Sequence, residues 1–474
     1  MTILMKRKIK DEFYFFDEIN KILEKYSKTN DLAKLKVSFR DIDFKFKKSI
    51  QLIESGLDLY FDNCSLSGER IDVTINQLQE KFNTIEFKDC KISSDLFIKN
   101  SKLQYLAFSN VEIISSRFHI SSNKIYSFSI VGSPEKMNKI DTLILNQNGE
   151  LGYVDFRLNQ FKELYINNCN FDKGFILNGN NIERLQIEKS KFKRNFEFWK
   201  NILGNFSLIK KSSIEEFKAR QSNFGIETEF RDIDFLERVD FTELKSDQTS
   251  LKFNNCTFQK NTYFDNSTVL NLEFSSVIFQ GITSFQLLNC LHFIKFTTSY
   301  FEKVGFFEGM KLGSENSIDT NTIRTIKGQL LKSESKIGYL KYNALEQRKH
   351  FQKLTIKDSD FYILLLNSKS NDFGRNWFKG VKFTLQVSIF FFLMMITVNS
   401  FVLSKYPLKF NLNNSFAGIS TILSEYLKFT FSLGFGSEEF QSNGYLYLIF
   451  IIAKTFIGYG IYQTITAFRK YGKI

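Results

Sequence analysis

The chain has 474 residues, 64 of them Lys or Arg and 51 Asp or Glu, for a formal net charge of +13. With 43% hydrophobic and 24% charged residues, wholesale disorder is excluded, and a mean hydropathy of -0.20 excludes a polytopic membrane protein while leaving room for one or two apolar spans. The basic residues are scattered among acidic ones and read as a solvated face rather than a nucleic-acid surface.

Residues 1–50 are expected to form an N-terminal cap. A helical pattern, DEFYFFDEINKILEKY, precedes a strand-like VSFRDIDFKF, and an open sheet end needs covering. The first residues lack the apolar stretch of a secretory signal. The five cysteines form no CxxC pair and no zinc spacing, so reduced thiols and a cytoplasmic domain are expected.

Residues 51–313 are expected to form a β-solenoid of coils about 21 residues long. One phrase recurs: FDNCSL from Phe61, FKDCKI from Phe87, FSNVEI from Phe108, INNCNF from Ile166, IEKSKF from Ile187, FNNCTF from Phe253, FSSVIF from Phe274 and FTTSYF from Phe296. Directly successive copies are 21 or 22 residues apart, except for the 26 between Phe61 and Phe87, whereas 130–165 and 193–250 lose the register. Cys64, Cys90, Cys169 and Cys256 share one phrase position with Ser190, Ser299, Val111 and Val277, as an inward site of small volume would require. The remainder of each repeat alternates with period two, so each coil holds short strands that pair with the next coil. FKELYINNCNF at 161–171 also fits a leucine-rich repeat, but no segment after it carries a helical period, which favours a β-helix. The small residue beside a phenylalanine resembles the pentapeptide-repeat proteins, and that resemblance implies a right-handed β-helix.

Residues 314–380 are expected to be a helical linker, with few aromatics, helical spacing of Ile, Leu and Ala, and Asp319 and Asp358 as helix starts. Residues 381–474 form the last unit. The segment 383–403 is free of charge and long enough to span a bilayer, and 445–468 is a second span containing Lys454. Lys369, Arg375, Lys379 and Lys382 precede the first span and Arg469, Lys470 and Lys473 follow the second, so the solenoid and both chain ends are expected on the cytoplasmic side of the inner membrane.

Between the spans, 416–431 reads as a short amphipathic helix leading into Ser432-Leu433-Gly434-Phe435-Gly436. Span, short helix, S-L-G-F-G and span follow one another in the order that resembles the pore domain of potassium channels. The resemblance implies a re-entrant pore helix, a filter at 432–436 whose glycines let carbonyls turn to a common axis, and an assembly of four copies. Glu438 and Glu439 would make an acidic outer mouth. Ser437 stands where that family has an aspartate. Lys454 is costly inside a span and is expected to pair with Glu425. Gly458 and Gly460 are small residues suited to close helix packing, and the resemblance makes them a hinge.

No motif of nucleophilic, phosphate-binding or metalloprotease chemistry occurs, and the three histidines lie far apart, so no enzyme and no cofactor is expected beyond a potassium ion in transit. The expected function is a cation channel regulated by its solenoid. The alternative is a membrane-anchored scaffold whose solenoid binds a protein partner. The expected partners are membrane lipid, three further copies of the chain, and a cytoplasmic protein or ligand on the solenoid, with no nucleic acid.

Overall fold

The computed structural model describes residues 8–27, 35–47, 50–52, 57–68, 70–74, 83–115, 117–398, 415–432 and 444–469. They divide into two compact units, 1–325 and 326–474. The first is a β-solenoid of about 12 turns in which every strand pairing is parallel and joins one coil to the next. No helix interrupts the described coils between Ile50 and Leu312, so the coil is a β-helix and not a leucine-rich horseshoe.

The corners explain the repeat. A residue with positive φ recurs at Leu158, Asn168, Gly179, Lys189, Lys200, Lys211, Gln221, Asp232, Glu243, Asn255, Asn266, Ser276, Leu287, Thr298 and Gly309, one every ten to twelve residues. Each coil therefore has two left-handed corners, and the structural repeat is a half-coil. The phrase marks such a corner, with its third residue in the left-handed region. Its first three copies belong to the column Phe61–Phe87–Phe108–Ile130–Phe156–Leu177–Phe198. The other five belong to a different column, Ile98–Ile120–Leu145–Ile166–Ile187–Ile209–Phe230–Phe253–Phe274–Phe296. Parallel pairing between coils continues through 138–167 and 193–254, where the phrase loses its register in sequence, with local bulges. There Lys200, Lys211 and Gln221 occupy corners that Asn or Asp would fill with less strain, so the letters change while the backbone does not.

The phenylalanines fill the interior in stacked columns. Phe235, Phe258, Phe279 and Phe301 follow one another at ring separations of 4.7, 5.1 and 4.5 Å. Phe241, Phe264, Phe285 and Phe307 do so at 5.0, 5.1 and 4.8 Å. Offset aromatic pairs contribute about 0.5–1.5 kcal/mol beyond the burial of their area, and a coil repeat of fixed rise supplies one such pair per coil in each column.

Small polar residues line the inner side of both corners. On one corner Asn138, Asn159, Asn180 and Asn201 form a buried ladder. The Asn180 side chain accepts from Asn159 N at 3.0 Å and Asn159 Nδ2 at 2.9 Å, and donates to Phe156 O at 2.9 Å and Asn201 Oδ1 at 3.1 Å. On the other, Asn123, Asn148, Cys169, Ser190 and Ser212 follow in order. The amides and hydroxyls of these ladders tie each corner to an adjacent coil, which satisfies backbone groups that the turn takes out of the strand ladder.

The first helix, α1 (Glu12–Ser27), lies over the first coil, where Phe15 stacks on Phe39 at 5.1 Å and meets Phe44 edge-on at 5.6 Å. Parallel pairing already includes Leu35–Arg40 and Ile42–Phe46, so coiling begins within residues 1–50. After the last strand the chain becomes helical: α2 (Thr320–Lys332), α3 (Lys336–Phe351), α4 (Ser359–Asn371), α5 (Trp377–Thr397), α6 (Ser415–Phe431) and α7 (Gly444–Phe468).

Candidate membrane-spanning site

Two helices are long and apolar enough to cross a bilayer: α5, 21 residues, and α7, 25 residues, whose most apolar 18-residue stretches have mean hydropathies of 1.7 and 1.5. Only 22% and 28% of these stretches is buried within the chain, unlike the core helix of a soluble protein. Phe378, Phe390 and Leu393 on α5 and Leu448, Tyr462 and Ile465 on α7 are exposed. The first apolar helix begins at Trp377, and Asn376 caps it by accepting from Lys379 N at 3.1 Å.

The two helices meet along a seam whose α5 side is made of small residues. On α5, Gly380, Thr384 and Ser388 are buried at a spacing of four. On α7 the facing stripe is Leu446, Phe450, Ala453, Ile457, Gly460, Gln463 and Ala467. A Cβ on Gly460 would strike Thr384, so Gly460 serves close packing. Nothing lies within 4 Å of a Cβ on Gly458, and α7 runs unbroken through both glycines. The helix α6 seats on this pair. Phe429, fully buried, meets Phe392 of α5 at 5.6 Å and Phe450 of α7 at 6.1 Å, while Tyr426 OH bonds Ser388 Oγ.

The position of Lys454 departs from the sequence expectation. Glu425 pairs with Lys428 on the outer side of α6 at 2.9 Å, and both side chains are largely exposed. The Lys454 ammonium instead donates to the carbonyls of Phe429 and Thr430, the latter at 3.2 Å, and lies 5.2 Å from the Phe450 ring centroid. The expected Lys454–Glu425 pair is thus replaced by a capped helix end: Lys428, three residues on from Glu425, takes the carboxylate, and Lys454 bonds the carbonyls of the last turn of α6. Ser432 continues the helical pattern, its N donating to Lys428 O at 2.9 Å. Leu433, Gly434, Phe435, Gly436, Glu438 and Glu439 lie outside the described residues.

A partly buried polar cluster, absent from the sequence expectations, ties α4 to α7. Tyr459 OH and Gln463 Nε2 both donate to Asn367 Oδ1, at 2.7 and 3.0 Å, and Asn371 Nδ2 donates to Gln463 O at 3.1 Å. Asn371 Oδ1 accepts from Gly374 N at 2.8 Å and shapes the turn into α5, which Arg348 of α3 joins through an ion pair with Asp372 at 3.1 Å. The sequence signal was available: a glutamine in an apolar span and two asparagines at a spacing of four just before the other span.

Cys64, Cys90, Cys169, Cys256 and Cys290 are all free and buried. Cys64 and Cys90 sit on one corner of the coil and Cys169 and Cys256 on the other. Burial pushes the Cys169 thiol up, and those of Cys256 and Cys290 up to about 12, which holds them as inert thiols. No protein-family model, curated protein or solved structure matches this chain.

Proposed function

We propose that the chain is an integral membrane ion channel that conducts monovalent cations, potassium foremost, with four copies around a shared axis and the β-solenoid as a cytoplasmic regulatory module. The observation that carries this reading is α6. A 17-residue helix between two apolar helices packs on both of them and ends directly before Ser432-Leu433-Gly434-Phe435-Gly436. A helix in that place directs the negative end of its dipole toward the segment that follows, where cations are favoured. One pair of spans cannot enclose a path, so several copies are required, and the exposed apolar faces of α5 and α7 suit both lipid and neighbouring copies. The basic residues flanking the spans favour a cytoplasmic solenoid, and the Asn367–Gln463 cluster offers a route by which α3 and α4 act on α7.

The test is cation flux into liposomes holding the purified full-length chain. Potassium should pass, and Gly434→Ala or Gly436→Ala should abolish the flux while leaving assembly intact. Absence of flux across a set of monovalent cations, together with a monomer in mild detergent, replaces the channel by a membrane-anchored scaffold whose solenoid binds a protein partner.

A further inference from the structure

The first half of α4 is apolar on every side. Phe361, Leu364 and Leu365 are half-buried, and the Phe361 ring lies 5.2 Å from that of Phe351 on α3. Tyr362, Ile363 and Leu366 share another face by their spacing, and Tyr362 and Ile363 are 52% and 59% exposed. A helix that is hydrophobic all round is covered all round, by protein or by lipid. Among the described residues nothing covers this stripe.

The height of α4 against the apolar helices follows from its partners. Gly380 of α5 lies against Thr464 of α7 and Thr384 against Gly460, an antiparallel register that sets Lys382 level with Tyr462. α4 bonds α7 at that level: Asn367 accepts from Tyr459 and Gln463, and Asn371 donates to Gln463 O. The ends of both apolar helices are marked there by aromatic and basic residues. Trp377 stacks on Phe468 at 4.8 Å, and Lys379, Lys382 and Arg469 are exposed. Such residues gather where hydrocarbon gives way to headgroups. α4 carries the same marks, its apolar run flanked by exposed Lys353, Lys357 and Lys369. Together with the basic residues of the span ends, these outnumber the nearby carboxylates of Asp358 and Asp360.

We propose that α4 is an interfacial helix whose Tyr362–Ile363–Leu366 face seats in the surface of an anionic phospholipid bilayer. The apolar side chains enter the upper acyl region, and Lys353, Lys357 and Lys369 meet headgroup phosphates. A second copy of the chain could cover the apolar stripe, but only an anionic surface uses the stripe and its lysines together. The inference goes beyond the transport proposal and rests on one part of it, the crossing of the bilayer by α5 and α7.

Nitroxide depth measurements on the full-length chain in vesicles test the placement. The native cysteines are buried in the solenoid, so label added to the folded chain goes to an introduced thiol, with labelled wild type as the blank. Ile363→Cys reports on α4, and Tyr362→Cys replaces it should that variant fold poorly. Phe390→Cys, 62% exposed on α5, reports on the span. In equimolar phosphatidylcholine and phosphatidylglycerol, the Ile363 label should lie about 5–10 Å below the headgroups, and the Phe390 label deeper. In phosphatidylcholine alone the Ile363 label should shift toward water while the Phe390 label stays. An Ile363 label in water, with the Phe390 label in lipid, overturns the interfacial helix and keeps the spans. An Ile363 label shielded from both oxygen and a water-soluble nickel chelate also overturns it and gives the face to a second copy. Equal Ile363 depth in the two lipid compositions overturns the role of the lysines. Both labels in water remove the spans, and the interfacial helix with them.

Discussion

Gly380 of α5 lies against the backbone of Thr464 of α7, where a Cβ would come within 3.0 Å of the Thr464 Cα. With Gly460 against Thr384, this contact sets how closely the two apolar helices approach. Gly380→Val should destabilise the helical unit by about 1–3 kcal/mol, the usual cost of overpacking. Gly458→Ala, facing open space, should be neutral or stabilising by up to about 1 kcal/mol through helix propensity. Thermal unfolding in detergent reads both, and a large loss for Gly458→Ala would show that this glycine does more than allow packing.

The Asn180 side chain makes four hydrogen bonds inside the solenoid. Asn180→Leu leaves Asn159 N and Phe156 O without these partners. It should cost about 2–4 kcal/mol, since each buried unsatisfied group costs about 1–3 kcal/mol. Cys169→Ser should cost less than about 1 kcal/mol, because Ser190 already fills the equivalent place on the next coil, its Oγ donating to Glu188 O at 2.9 Å. Denaturant unfolding of the two variants separates ladder hydrogen bonding from ladder volume.

The buried thiols make a pH prediction. In the unfolded chain Cys256 and Cys290 ionise near the ordinary thiol value of 9.0, whereas burial raises them to about 12 in the fold. Between these values the native state holds the proton and the unfolded state has lost it. Stability is therefore fully present below about pH 9 and falls as pH rises toward 12, each thiol contributing a slope of about 1.4 kcal/mol per pH unit. Cys290→Ala should flatten the alkaline side of the stability–pH curve by one such slope, as measured by denaturant midpoints from pH 8 to 11.

Lys200 holds a left-handed backbone, with φ at 51°, at an exposed corner. Left-handed conformations cost an ordinary residue about 1–2 kcal/mol, and asparagine less. Lys200→Asn should raise solenoid stability by about 0.5–1 kcal/mol, whereas the same change at Lys191, which lies in a strand, should not.

The cluster joining α4 to α7 is testable by a double-mutant cycle. Tyr459→Phe and Asn367→Ala, singly and together, should show a coupling of about 0.6–1.7 kcal/mol, the range for hydrogen bonds between apolar helices. Additive effects would mean that Tyr459 OH and Asn367 Oδ1, 2.7 Å apart, do not support each other.

The coil and the two apolar helices were legible in the amino-acid order because both are local periodicities. Period-two alternation, a recurring small residue before an apolar one, and long uncharged runs are properties of neighbours in the chain. What the linear order concealed is which partner each side chain meets. The phrase at Phe61 and the phrase at Ile166 look alike, yet they turn different corners of the coil, because a two-cornered coil repeats its local chemistry every half turn. Lys454 had a carboxylate within plausible reach in sequence, but helix geometry gave Glu425 to Lys428 and turned the ammonium onto the carbonyls of Phe429 and Thr430. Asn367 and Gln463 are 96 residues apart and share a hydrogen bond only because α4 and α7 pack together. Periodicity fixes which face of an element is buried, whereas the long-range packing of separate elements decides what that face touches.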